Sequence, residues 1–299
     1  MTYKDSDTVF QKLNNRNVNY RFDLEKDIPW SRISEPGLHF GSKFCAKVGV
    51  DFEGLRQHPE AFELFQWAVG VEVCEVFYIL ERNLNDFIDD EHVALKANRS
   101  ALLLYQEEVK HMALFRRYSD YLRALRPDWA ARFDEAFTNY RPDSYARENY
   151  PSAAVQHYCF WLPTLVFEEY TIYLYRELLK EDDLLQPVWL AAHGGHAREE
   201  KQHVVTDAAH LRALEIKPLE KRACVHAFWS SFDETFKEFL GITTAKAMVR
   251  KYFPEAAHCV PDVSMTTQPI FEDIVTGKDF KITLEHAPYV RPPRSSEAA

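Results

Sequence analysis

The chain has 299 residues and is 46% hydrophobic, with 21 Phe, 15 Tyr and 6 Trp, ample to bury the core of one large domain or two ordinary ones. A net charge of −10, with no basic run or basic patch interleaved with aromatics, argues against a nucleic-acid footprint. Only 9 Gly favour long helices over strands and turns, and five scattered cysteines (Cys45, Cys74, Cys159, Cys224, Cys259) without a C-x-x-C exclude thiolate metal sites and imply a reduced, cytoplasmic setting.

Residues 1–40 show little periodicity. The opening MTYKDSDTVF lacks the apolar core of a signal peptide, while Ile28-Pro29-Trp30 and Phe40 are placed to pack on a helical bundle. Apolar positions at helical spacing predict a helix over residues 60–85, carrying Glu75. Asp89 or Asp90 caps the next, which runs through Glu108 and His111 to about Leu125 and is stopped by Pro127. The polar and aromatic stretch 128–149, with Arg141-Pro142-Asp143, reads as a long connection holding a short helix.

Tyr150–Phe167 is uncharged over 18 residues, the length of a membrane span. It contains Pro151, Gln156, His157 and Pro163 and leads into Glu168-Glu169, which predicts instead a buried helix with a kink or restart at Pro163. A loop at Glu181-Asp182-Asp183 precedes a helix from Pro187, where a missing N–H costs nothing, to about Glu215. Pro218 ends it. Residues 219–250 predict one or two further amphipathic helices whose Phe228, Trp229, Phe232, Phe236 and Phe239 read as core packing. Periodicity weakens after Pro254, and the Pro, Arg and Ser-rich residues 289–299 are expected to be a disordered tail.

Chemistry enters with a motif that occurs twice, Glu108-x-x-His111 and Glu200-x-x-His203. Residues three apart on a helix share a face, so each copy can aim a carboxylate and an imidazole at one point. An upstream Glu belongs to each copy: Glu75 and Glu169 both open the pattern E-x-x-x-x-L-x-R-x-L, 33 residues before Glu108 and 31 before Glu200, an internal repeat of a helix hairpin. Glu72 remains an alternative to Glu75, and Glu168 to Glu169. A Glu from each of two helices plus a Glu-x-x-His from each of two others is the ligand set of ferritin-like di-iron and di-manganese bundles. The fold class predicted is therefore an all-α, ferritin-like four-helix bundle, one domain with its core at about 60–215 and additional C-terminal helices.

His196, four residues before Glu200, stands where the first copy has Leu104. It shares the face of Glu200 and His203 and is a seventh candidate ligand; His193 would break that spacing. Glu107 and Glu199, next to the motif carboxylates, read as solvated. Asp207, one turn past His203, is either an orienter of that imidazole or a surface group. Carboxylate and imidazole without thiolate suit iron or manganese better than zinc, and four carboxylates balance two Fe(II) ions.

On Glu75, Glu108-x-x-His111, Glu169, His196-x-x-x-Glu200-x-x-His203 and the Gln186-Pro187 helix start, the chain resembles the p-aminobenzoate N-oxygenase type of di-iron arylamine oxygenases of antibiotic biosynthesis, over roughly residues 60–215. What the resemblance implies is a non-haem di-iron monooxygenase that uses O2 to convert an amine to a hydroxylamine, nitroso or nitro compound, and a homodimer. No flavin fingerprint or iron–sulfur cysteine set is present, so electrons would come from an external reductase or small redox protein. Two other readings share the cluster: a di-iron oxygenase or oxidase acting on carbon, and a non-catalytic iron-storage protein. The extra helices after residue 218 disfavour the last.

Overall fold

The computed structural model describes residues 20–90, 99–137, 150–262 and 269–290. Expectations for residues 1–19, for Arg141-Pro142-Asp143 and for the tail beyond Val290 lie outside the described residues. Among the described residues the chain is all-α, with one isolated β-bridge between Leu38 and Leu185. In chain order the α-helices are α1 (Ser42–Lys47), α2 (Phe52–Arg56), α3 (Pro59–Asp90), α4 (Arg99–Leu125), α5 (Pro127–Ala136), α6 (Ala153–Leu178), α7 (Pro187–Ala213), α8 (Pro218–Gly241), α9 (Thr243–Tyr252), α10 (Pro269–Val275) and α11 (Lys281–His286). None is long and apolar enough to cross a membrane.

Four long helices, α3, α4, α6 and α7, form the bundle. Rising numbers on α3 meet falling numbers on α4: the Trp67 indole N–H donates to the Leu122 carbonyl (2.8 Å), the Ser119 hydroxyl to Glu75 (2.7 Å), and Glu81 lies 3.8 Å from His111. The pair is antiparallel. So is α6 with α7, where Trp161 stacks on His210 at 4.3 Å and Glu168 faces His203. Phe77 meets Phe167 and Phe87 meets Phe160 across α3 and α6, while Glu108 meets His203 and Phe115 meets His196 across α4 and α7. Helices α4 and α6 thus point the same way, the relation between the second and third helices of a bundle with a long crossover.

Local chemistry explains the helix starts. Ser152 caps α6 by accepting the Val155 N–H, and Gln186 caps α7 by accepting the Trp189 N–H ahead of Pro187 at the first helical position. The Gln186 amide also donates to the Ile33 carbonyl (3.0 Å), tying α7 to the 3₁₀ turn Trp30–Arg32. Gly37 lies against this junction; a Cβ there would sit 2.4 Å from the Gln186 backbone nitrogen, so no larger residue fits.

Two expectations on helix boundaries are corrected. Helix α3 runs on to Asp90 because Leu84, Phe87 and Ile88 continue its buried stripe, so Asp89 and Asp90 belong to its last turn. Helix α6 passes through Pro163 without a restart; the lost N–H is a single bond in a helix held on all sides by Trp161, Leu162, Leu165 and Val166.

Beyond the bundle, α8 contributes Phe232 and Phe236 to the core, with Phe228 and Trp229 packed against it. Helix α9 lies on α3, where the Glu72 carboxylate accepts the Thr244 and Ala245 N–H groups at 2.9 and 2.8 Å. Glu169 does the same for α11, accepting from Ile282 (3.2 Å) and Thr283 (2.8 Å). Both are buried carboxylates stabilised by the unpaired donors at a helix start.

Candidate metal centre

Midway along the bundle, each of the four long helices sends acidic or imidazole side chains inward. Helix α3 supplies Glu81, α4 supplies Glu108 and His111, α6 supplies Glu168, and α7 supplies His196, Glu200 and His203; all seven are at most 1% exposed. Two overlapping groups result, each with ligand-type atoms within 4.8 Å of one another: Glu81, His111, His196 and Glu200 in one, Glu108, His111, Glu200 and His203 in the other. Glu168 sits at the edge of the second, its Oε1 4.0 Å from His203 Nδ1.

Two carboxylates lie between the groups. One Glu200 oxygen is 2.5 Å from His196 Nε2 and 3.2 Å from His111 Nδ1, and the other is 2.6 Å from His203 Nδ1. Glu108 likewise splits, one oxygen at 2.8 Å from His111 Nδ1 and the other at 2.9 Å from His203 Nδ1. Neither Glu200 oxygen nor either Glu168 oxygen accepts a hydrogen bond, and the same holds for Glu81 Oε2, Glu108 Oε1 and His203 Nδ1. His111 Nδ1 with Glu108 Oε2, and His196 Nε2 with Glu81 Oε1 at 3.0 Å, have hydrogen-bond geometry; the other close approaches lack it and converge on points between the atoms. Buried polar oxygens without donors are costly, and cations at those points would satisfy them all.

The electrostatics agree. Burial, reinforced by Glu108 and Glu200, pushes the Glu81 carboxyl well above the usual range, and burial with Glu200 and Glu108 does the same to Glu168. Glu108 and Glu200 also suffer from burial, but the imidazoliums of His203 and its neighbours outweigh it and hold both low. Against its own burial, His111 is pushed up to about 9 by Glu108 and Glu200, and His203 is raised by the same pair. These shifts favour the proton-bearing forms of Glu81, Glu168, His111 and His203, and a divalent ion on these atoms would compete with those protons.

Behind each motif imidazole stands a further carboxylate, and the two are crossed. His111 on α4 turns Nε2 to Glu199 on α7 at 2.8 Å, while His203 on α7 turns Nε2 to Glu107 on α4 at 3.1 Å. Such partners fix the ring orientation and the tautomer of a metal-binding imidazole. The expectation that Glu107 and Glu199 are solvated is overturned, since they are 5% and 1% exposed. Their signal lay in the sequence: both copies read E-E-x-x-H, and the first Glu of each serves the histidine of the other copy. Asp207 is fully buried with both oxygens unpartnered, and burial raises its carboxyl; it orients neither imidazole.

Of the seven candidates from sequence, the structure brings Glu108, His111, His196, Glu200 and His203 together and leaves Glu75 and Glu169 outside. Glu75 accepts from Ser119 and pairs with Arg123 at 3.3 Å and Arg116 at 3.7 Å. Glu169 is turned away to cap α11. The carboxylates in their places are Glu81 and Glu168. His193 lies one turn before His196 among Phe77, Phe115 and Trp189 and joins neither group. No protein-family model, curated protein or solved structure matches this chain.

Proposed function

We propose that the chain is a non-haem di-iron oxygenase on a ferritin-like bundle, with Glu81, Glu108, His111, Glu168, His196, Glu200 and His203 holding two iron ions. The carrying observation is the set of donorless buried oxygens on Glu81, Glu108, Glu168 and Glu200, arranged so that Glu200 and His111 belong to both groups. Four carboxylates and three imidazoles without a thiolate suit iron. Bound there, the iron pair supplies the redox chemistry that activates O2.

The protein's own part is positioning and exclusion of water. Glu107 and Glu199 keep Nδ1 of His203 and His111 aimed inward. Phe77 and Phe115, both within 5.1 Å of the His196 ring, wall that imidazole with hydrocarbon. Electrons come from a separate reductase or small redox protein, since the chain carries no flavin or thiolate-cluster motif of its own. Oxidation of an amine nitrogen is favoured over oxidation at carbon by His196, the third imidazole, which is a ligand position shared with the arylamine N-oxygenases that the sequence resembles. A storage role fits less well with the helices α8 and α9 added after residue 218.

The test is to load the protein anaerobically with about two Fe(II) per chain, as the paired motifs require, and then to mix it with O2 and a panel of aryl and alkyl amines, following absorbance and products. An oxygen-dependent colour that decays faster with one amine class, together with its hydroxylamine, nitroso or nitro product, is the expected result. Oxidation of iron with no response to any amine would remove the N-oxygenase reading.

A further inference from the structure

The N-terminal segment reaches the outer face of this centre from far away in sequence. At Phe22 the backbone N–H donates to Glu199 Oε1 at 3.0 Å, and the carbonyl accepts from the Lys110 ammonium at 3.2 Å. Its ring lies parallel to the His111 ring at 6.0 Å, with the Lys110 ammonium 4.3 Å from its centroid. One residue earlier, the Arg21 guanidinium donates to Glu107 Oε1 at 3.0 Å. The remaining oxygens of Glu199 and Glu107 are those that hold His111 and His203. Gly195 makes room, since a Cβ there would come within 3.1 Å of the Phe22 ring.

We propose that Arg21 and Phe22 are positioning residues of the metal centre, a strap that completes its outer layer by fixing Glu107 and Glu199 and, through them, the two motif imidazoles. This rests on reading the cluster as a two-metal site. A carboxylate that already accepts from a guanidinium or a backbone N–H on one oxygen has its other oxygen fixed in direction, so the imidazole behind it loses freedom as well. The two arms match: Arg21 serves Glu107 and His203, and Phe22 serves Glu199 and His111. Outside this contact the strap is held by its own rim pairs, Glu25 with Arg117 (2.7 Å) and Asp27 with Arg198 (2.9 Å). The Arg21 side chain and the Phe22 N–H can therefore be removed by substitution without detaching the whole segment, while the Lys110 ammonium, which pairs with the same Glu199 oxygen, stays in place.

The experiment uses the full chain, freed of metal and titrated with Co(II), read by visible absorbance and by the rate of Co(II) release to a chelator. Wild type is expected to take up about two Co(II). The double variant Arg21→Ala/Phe22→Pro, whose proline lacks the N–H that Glu199 accepts, should keep that stoichiometry, shift the Co(II) absorption bands and release metal roughly tenfold faster, the low end of the effect of losing an outer partner of a ligand. Glu25→Ala, which breaks only a rim pair, should match wild type, and Arg21→Lys should recover part of the loss by restoring a cation beside Glu107. Circular dichroism melting of the metal-free proteins checks folding; if the double variant does not fold, Arg21→Gln, which alters the side-chain donor to Glu107 alone, carries the comparison. Wild-type spectra and release rates in folded variants overturn the proposal while leaving the two-metal reading intact. A wild-type chain that takes up no Co(II) overturns both.

Discussion

Replacing Glu200 by alanine should abolish uptake of both metal ions and not of one alone. Glu200 is the carboxylate common to both groups, with one oxygen beside His196 and His111 and the other beside His203. Removing a terminal carboxylate such as Glu81 leaves the second group complete; removing Glu200 leaves neither. Its loss also strips His203 of the largest of the carboxylate influences that raise its pKa. Loss of a mere outer partner weakens metal binding by about 10–100-fold, and loss of a shared inner carboxylate should exceed that. Metal content after desalting is the measurement, and Glu200→Gln, which preserves shape but not charge, should behave like Glu200→Ala.

Phe77→Ala should be the most damaging single change away from the ligands. Phe77 is fully buried on α3, one turn before Glu81, and its ring meets Phe115 on α4 at 4.7 Å, Phe167 on α6 at 5.2 Å, and His193 and His196 on α7 at 5.7 and 5.1 Å. A side chain touching all four bundle helices leaves a cavity that no single helix shift can close. Truncation of such a Phe costs about 3–5 kcal/mol, and for a chain of 299 residues that lowers the melting temperature by roughly 5–8 °C. Thermal melting of the metal-free protein gives the comparison, with Phe77→Leu expected to lose much less because it keeps most of the volume.

The bundle was legible in the sequence because its helices are long and its punctuation is strong: Pro187 after Gln186, Pro127 and Pro218 each mark a boundary that the fold respects within a few residues. Glu108, His111, Glu200 and His203 were legible for a local reason, since spacing within one helix turn fixes a shared face whatever the tertiary structure does. His196 follows by the same rule.

Glu81 was hidden, and Glu168 stood only as the alternative to Glu169, because choosing the facing residue on a neighbouring helix requires the register of the hairpin. In an antiparallel pair, facing residues are equally far from the turn. Ending α3 near residue 85 moves the turn towards the N-terminus and makes Glu75 the apparent partner of Glu108, whereas a helix reaching Asp90 moves the partner to Glu81. Glu168 and Glu169 differ by one residue, a rotation of about 100° on a helix, and only the position of α11 shows which of them faces outward. A carboxylate in apolar surroundings, as at Glu169, needs compensation; its partner is a helix N-terminus distant in sequence, which no local pattern reveals.

The most direct test of the central claim is anomalous diffraction from crystals loaded with iron or cobalt. Two peaks about 3.5–4 Å apart, the usual separation in two-metal sites, should lie between Glu81, Glu108, His111, Glu168, His196, Glu200 and His203, with none at Glu75 or Glu169. A single peak, or density beside Glu75 or Glu169, would contradict the assignment of this cluster as a two-metal centre.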